Sequence, residues 1–178
     1  MRQTTQVNEL AITVVGRDRP GIIADVSAAL SRLGLNLTDS TMTLLRGHFA
    51  MTLICVGEVD ESDVLGMLEP LTADGGLLAT AHRVPPEPSG ANTGAPYTLL
   101  VHGADRLGIV AAVTGVMAEI GGNVTDLTTR LSGTLYLLSA EIDLPSSADF
   151  DELLTKLDEV ADRLGVEVSL RSGDADVL

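Results

Sequence analysis

Two short stretches of this 178-residue chain share one charged, glycine-containing pattern: DRPGII at Asp18–Ile23 and DRLGIV at Asp105–Val110. Each stretch follows an apolar run and precedes a helical pattern. A helix that opens on such a turn leaves backbone N–H groups unpaired at the positive end of its dipole, and that place attracts anions. The turns lack the glycines and the Lys-Ser/Thr pair of a triphosphate-binding loop, so they do not indicate nucleotide binding.

The polar residues of these turns also allow a purely structural interpretation. Asp is a favoured helix cap, and Asp18 and Asp105 lie just before the predicted helix starts. Asn36 and Asn123 begin the strand after each helix, which we expect to lie at the same end of the sheet as the turn. Asn could instead be a left-handed turn residue there. A carboxylate, a helix start and an amide on one edge of each sheet would suit a zwitterion.

The two turns belong to an internal duplication of the chain. With a constant shift of 87 positions, ten of the 22 residues from 18 to 39 are identical in the second copy, without a gap. The proline- and glycine-rich stretch PPEPSGANTGAP separates the copies and is typical of a linker. We therefore predict one domain at residues 8–84, a linker at 85–96 and a second domain at 97–172.

Hydrophobic periodicity predicts the same order of elements in each domain. Short apolar runs at Leu10–Val15 and Tyr97–His102 are typical of strands, and the residues after each turn recur at helical spacing. A hairpin around Gly47 or Gly133, a second helix and a last strand complete each copy. The order βαββαβ predicts an α+β, ferredoxin-like fold, with a four-stranded antiparallel sheet and both helices on one face.

Composition narrows the classes of function. A formal net charge of −14, from 25 acidic and 11 basic residues, would repel a phosphate backbone, so direct nucleic-acid binding is disfavoured. Aromatic residues make up 2% of the chain, too few for base-stacking platforms. No apolar run approaches the roughly 20 residues that span a bilayer, and the first residues do not resemble a signal peptide. We expect a cytoplasmic protein that does not contact membranes.

Catalytic and metal-binding residues are not expected. Cys55 lies in an apolar run and is predicted to be a small buried hydrophobic residue. His48, His82 and His102 share no spacing with Cys or with one another that indicates a metal site. No nucleophile and base recur with the repeat, so we predict a protein without enzymatic activity and without a cofactor.

These residues resemble the ACT domain, a small regulatory module of amino-acid metabolism. Its motif is a strand followed by D/N-R-x-G, an apolar helix and G-x-N at the next strand. DRPGIIADVSAALSRLGLNLTD and DRLGIVAAVTGVMAEIGGNVTD are similar to that motif, and the resemblance covers roughly residues 9–84 and 97–171. The tandem arrangement, with NLTDSTM and GHFAMTLICVG, most resembles the glycine cleavage system transcriptional repressor branch, whose members contact other regulators.

The resemblance also implies where a ligand would bind. In ligand-binding ACT domains an amino acid lies where two domains meet edge to edge, against the first loop of one and the early second strand of the other. Carried over by position, this implies eight ligand-binding residues: Asp18, Gly21, Ile22 and Asn36 in the first copy, and Asp105, Gly108, Ile109 and Asn123 in the second. Some ACT domains have Asn in place of these aspartates, and an Asp would favour the ammonium group. Leu107 replaces Pro20, which we expect to leave the second turn less rigid and the second site less favourable for a ligand than the first.

Residues and resemblance together predict a non-enzymatic sensor that binds a small amino acid or related metabolite and signals to a partner regulatory protein. Exposed strand edges favour pairing of domains, most simply in a homodimer. Two alternatives stay open. One is a ligand-free interaction and dimerisation module; the other, with less support, is an enzyme subunit related to formyltetrahydrofolate deformylase, whose start this chain resembles.

Overall fold

The computed structural model describes residues 7–85 and 94–173. The chain divides into two compact units, Met1–Glu87 and Pro88–Leu178. Most of the predicted linker, residues 85–96, lies outside the described residues, and the first strand of the second unit already begins at Ala95. The domain boundaries at residues 84 and 97 stay predictions.

Both units contain the same succession of elements. The first unit consists of β1 (Asn8–Arg17), α1 (Ile22–Arg32), β2 (Asn36–Leu45), β3 (His48–Gly57), α2 (Glu61–Thr72) and β4 (Leu77–Arg83). The second consists of β5 (Ala95–Ala104), α3 (Ile109–Glu119), β6 (Asn123–Ser132), β7 (Leu135–Leu144), α4 (Phe150–Leu164) and β8 (Val166–Ser172). The predicted order βαββαβ is confirmed in both units.

Each unit is an antiparallel four-stranded sheet with helices on one face. The strand orders are β2-β3-β1-β4 and β6-β7-β5-β8, so β2 and β4 are edge strands of the first sheet, and β6 and β8 of the second. Leu10 and Ile12 of β1 share one buried cluster with Val26 of α1 and Val64 of α2. Because both helices contribute to that cluster, they cover the same face of the sheet. The predicted ferredoxin-like fold is confirmed.

The second core is built in the same way. Leu99 and Val101 of β5 pack with Val113 of α3 and Leu157 of α4. Both cores are predominantly aliphatic, as the scarcity of aromatic residues requires. Within the described ranges, no helix combines the length and the apolar character needed to span a bilayer.

The first helix of each unit ends at a glycine. Gly34 and Gly121 follow the last turns of α1 and α3 with φ of 75° and 74°. In the first unit the N–H of Leu35 donates to the carbonyl of Leu30 at 3.2 Å, which satisfies a carbonyl group at the helix end. The chain then turns directly into β2, or into β6 in the second unit.

Candidate functional site

The repeated turn connects β1 to α1 and β5 to α3, and its glycine sets the helix start. Gly21 and Gly108 are the N-cap residues of the two helices, each with φ of 90°. Residues with a side chain rarely adopt this left-handed conformation, which explains a glycine in both copies. Neither helix receives a side-chain cap. The interpretation of Asp18 and Asp105 as helix caps is therefore wrong, because both lie three residues before the N-cap position.

The backbone around the first turn is anchored on both sides. Arg17 donates its N–H to the carbonyl of Gly76 at 3.0 Å, and Asp18 donates its N–H to the carbonyl of Gly47 at 3.1 Å. A Cβ on Gly16 would collide with the carbonyl oxygen of Gly76. The end of β1 therefore lies against the residues that lead into β4. The repeat also aligns Gly16 with a glycine of the second unit, a pair that sequence reasoning did not use.

The first turn already holds an acidic side chain of the protein itself. The guanidinium of Arg19 lies 2.9 Å from the carboxylate of Asp25, and both side chains are partly exposed. Asp25 belongs to the first turn of α1, where a negative charge interacts favourably with the helix dipole. The carboxylate of Asp25 would repel an external anion at this helix start.

The second turn lacks this acid. Ala112 stands at the position equivalent to Asp25, and the first turn of α3 contains no acidic residue. Arg106 makes no ion pair with any residue of the described ranges. A cavity of about 580 Å³ lies against the turn and is lined by residues 105–111 and Tyr136. The start of α3 is thus more open to an external anion than the start of α1.

Tyr136 is a residue of this cavity that sequence reasoning missed. It lies on β7 and is half-buried, whereas Phe49, its equivalent on β3, is buried in the first core. Tyr adds a hydroxyl group that Phe lacks. The shift of 87 positions aligns Tyr136 with Phe49, so the difference between them was visible in the sequence. That Tyr136 lies beside the turn depends on the sheet register, which the sequence does not show directly.

The asparagines do not lie beside the turns of their own units. Asn36 is the first residue of β2 and pairs with Val56 on β3. The turn follows the end of β1. There Arg17 pairs with His48, which also lies on β3. Val56 and His48 are separated by eight residue steps, a distance of roughly 27 Å along a strand. The turn and Asn36 therefore lie at opposite ends of the sheet.

The second unit shows the same separation. Asn123 pairs with Asp143 at one end of β7, while Ala104, the last residue of β5, pairs with Leu135 at the other. The predicted convergence of turn and asparagine on one edge of each sheet is therefore wrong. The reason is that α1 and α3 carry the chain back along the sheet, so that the next strand starts where the first strand started.

The asparagines are not left-handed turn residues either. Both are the first residues of regular strands, and Arg46 is the one non-glycine residue with positive φ in the described part of the chain. Both are exposed to solvent, as are Asp18 and Asp105. A small ligand therefore cannot touch both the turn and the asparagine of one unit.

The histidines lie on three different strands: His48 on β3, His82 on β4 and His102 on β5. Among residues 7–85 and 94–173, no three His, Cys, Asp or Glu side chains are grouped so that they could hold a metal ion.

Comparison with known proteins gives the same domain type twice. Residues 8–81 and 98–171 match the family model of the ACT domain. A UPF0237 protein of Streptococcus mutans is 40% identical over 67 residues, which are 38% of this chain and 75% of that protein. A UPF0237 protein of Methanopyrus kandleri is 42% identical over 53 residues, 30% of this chain and 57% of that protein.

Two solved structures resemble the chain over nearly its whole length. A protein from Galdieria sulphuraria, described only as unknown, has a TM-score of 0.77 and 29% identity, and the match covers 94% of this chain and 99% of that one. A candidate glycine cleavage system transcriptional repressor has a TM-score of 0.66 and 23% identity, and the match covers 93% and 96%. At 23% identity, the similarity to this second structure shows a shared fold.

Proposed function

The chain belongs to the ACT domain family, and on that premise we propose that it is a non-enzymatic regulatory protein of the cytoplasm. It binds a small amino acid or related metabolite where two ACT domains meet, and ligand binding alters its contact with a partner regulatory protein. The observation that carries this proposal is the second turn, where a cavity of about 580 Å³ adjoins the uncapped start of α3.

The start of α3 suits the carboxylate of an amino acid. The N–H groups of its first residues, Ile109–Ala111, have no partner within the helix, and the helix dipole contributes about 0.3–1 kcal/mol toward an anion at an exposed site. Arg106 lines the same cavity and can form a charge-assisted hydrogen bond to that carboxylate. Asp25 makes the first turn less favourable, so the second unit holds the tighter site, contrary to the expectation from Leu107.

The same cavity offers acceptors for the ammonium group. Asp105 and Tyr136 both line it, together with the backbone of Gly108 and Ile109. A carboxylate acceptor and backbone donors around one cavity match the two charges of a zwitterion. Asp18 is the corresponding acceptor in the first unit.

Asn36 and Asn123 join this site only through a second ACT domain. The edge strands β2 and β6 carry unpaired backbone groups, and antiparallel pairing of two such edges places the start of one strand beside the end of the other. The end of β2 adjoins the turn, because Leu45 and Arg17 both pair with His48. Edge pairing would therefore bring the asparagine of one domain to the sheet end that carries the turn of the other.

The proposed partner is another regulator, since a net charge of −14 disfavours direct contact with DNA. The likeness in fold to a candidate glycine cleavage system transcriptional repressor supports such a role.

A ligand-free interaction module is the second candidate function. Leu37, Met42 and Leu44 on β2 pair with residues that face the core, yet they are 41%, 45% and 49% exposed. An apolar edge of this kind could pair with another domain without any ligand.

A thermal-shift screen of the proteinogenic amino acids separates the two candidates, because a ligand that binds only the folded state raises Tm. We expect at least one small amino acid to raise Tm. Arg106→Gln should reduce that shift, whereas Arg19→Gln, the matched change in the first turn, should largely retain it. The highest concentration tested, about 10 mM, lies above the micromolar to millimolar Kd expected for so small a ligand. If no amino acid raises Tm at that concentration, the interaction module is the better explanation.

A further inference from the structure

The open face of the second sheet carries a cavity that the proposed amino-acid site does not use. Its volume of about 360 Å³ lies within the range of small-molecule sites. Its lining side chains on this face come from β5, β6 and β7: Leu100, His102, Thr128, Arg130, Leu137 and Ser139. They alternate with buried residues such as Leu99 and Val101, so the cavity lies on the face opposite to α3 and α4.

Part of the cavity is apolar. Leu100 and Leu137 lie on the adjacent strands β5 and β7, and Leu137 is 41% exposed. Burying such side chains against an aliphatic group removes apolar surface from water, which is favourable. The cavity therefore suits a ligand with a short hydrocarbon chain.

One row across the sheet combines Leu137 with three side chains that can carry a charge. The strand register aligns Glu167, His102, Leu137 and Arg130 in that order. Nε2 of His102 lies 3.0 Å from the carboxylate of Glu167, so that acid already has a partner. Arg130, at the other end of the row, makes no ion pair with any described residue. Its guanidinium is the cation available to a ligand.

The neighbouring row adds hydroxyl groups. Leu100, Ser139 and Thr128 are aligned across β5, β7 and β6. Ser and Thr hydroxyls can donate to a carboxylate. No acidic side chain lines the cavity, and Glu167 of the adjoining row already contacts His102, so an ammonium group would find no free carboxylate there.

The first unit shows that the fold does not require these residues. The corresponding rows consist entirely of uncharged residues: Leu78, Val15, Ala50 and Thr43 in one, and Thr80, Thr13, Thr52 and Thr41 in the other. The hydroxyl oxygens of Thr13 and Thr52 lie 3.3 Å apart. The arginine and the leucine pair are thus specific to the second unit.

We propose that this cavity binds a short aliphatic carboxylate that lacks an ammonium group. The guanidinium of Arg130 holds the carboxylate through paired N–H···O bonds, and the hydrocarbon chain covers Leu100 and Leu137. The site is separate from the turn of the same unit, which offers charges for both ends of a zwitterion.

Nuclear magnetic resonance titration of the full ¹⁵N-labelled chain with 4-methylpentanoate tests this site. We expect saturable shifts at the backbone N–H groups of Leu100, Thr128, Leu137 and Ser139. Leucine, which has the same carbon chain with an added ammonium group, should shift these signals far less. Arg130→Gln should weaken binding of 4-methylpentanoate about tenfold or more, as expected for loss of a charged hydrogen-bonding group.

Two further variants complete the test. Arg171→Gln removes an equal charge from β8 on the same face but outside the cavity, and it should leave binding unchanged. Ser139→Leu fills the cavity while keeping Arg130, and it should abolish binding. Neither variant should alter the response of Tm to an amino acid at the turn, so failure of this proposal is distinguishable from failure of the proposed function. The proposal is overturned if 4-methylpentanoate binds Arg130→Gln and Ser139→Leu as it binds the wild type. It is also overturned if 4-methylpentanoate shifts mainly the signals of α3, or shifts no signal at all.

Discussion

At the residue scale, Cys55 provides a probe of the first unit, because it is the only cysteine in the chain and lies in the core on β3. Burial raises the pKa of its thiol, which keeps the reactive thiolate scarce at neutral pH. We expect the native chain to react with Ellman's reagent far more slowly than the unfolded chain, at a rate that increases with denaturant. Reaction of the native chain at the rate of a free thiol would contradict this burial.

The ligand-binding role of the asparagines is tested by Asn123→Ala and its matched change Asn36→Ala. Removal of a side-chain hydrogen bond to a bound amino acid should weaken binding by about 1–3 kcal/mol. The free energy of unfolding should hardly change, because both residues are exposed. Isothermal titration calorimetry measures the affinities. If both variants bind as the wild type does, neither asparagine contacts the ligand.

Individual roles were predictable where the residue type alone decides them. The glycine of each turn is required by its left-handed φ, and Cys55 is buried as its apolar surroundings predicted. The capping role of Asp18 failed because it was inferred from nearness in sequence, whereas Gly21 places the helix start three residues later. Tyr136 was missed because its nearness to the turn depends on tertiary structure.

At the scale of elements, the close approach of β1 to β4 predicts a strong effect of Gly16→Ala. The new Cβ would collide with the carbonyl oxygen of Gly76 and lie 2.8 Å from Cα of Leu77, so the backbone must shift. We expect a loss of about 1–3 kcal/mol in the free energy of unfolding. Chemical denaturation measures the change.

Gly66→Ala on α2 is the matched control. Apart from its chain neighbours and the backbone of its own helix, no atom lies within 4 Å of the position of the new Cβ, and Ala is the better helix former. The free energy of unfolding of this variant should rise by about 0.5–1 kcal/mol. Equal stability of the two variants would show that β1 and β4 do not approach as closely as described.

The order of elements was predictable because each helix and strand carries its own hydrophobic period. The hairpin turns were marked by Gly47 and Gly133, both with positive φ. The position of Asn36 was misjudged because the path of the chain was not followed through α1, whose 11 residues cover roughly 16 Å back along the sheet. Residues close in sequence, on either side of a helix, thereby come to lie at opposite ends of the sheet.

At the scale of the whole molecule, we predict self-association through the apolar edge of β2. Met42→Lys places a charge on that edge and should shift the chain toward the monomer in light scattering. Its free energy of unfolding should stay within about 0.5 kcal/mol of wild type, because the side chain is exposed. Leu65→Lys, on α2 and 40% exposed, is the matched control and should leave the mass unchanged. A strictly monomeric wild-type chain would contradict edge pairing.

Binding of a small amino acid at the second turn is tested most directly by a ¹⁵N titration with the amino acid that gives the largest thermal shift. A ceiling of about 1.5 kcal/mol per heavy atom limits a five-atom ligand such as glycine to about 7.5 kcal/mol, weaker than about 1 μM. We predict saturable shifts of the backbone N–H groups of Gly108 and Ile109, with a micromolar to millimolar Kd. Absence of shifts at both residues with every amino acid up to about 10 mM would contradict the proposed function.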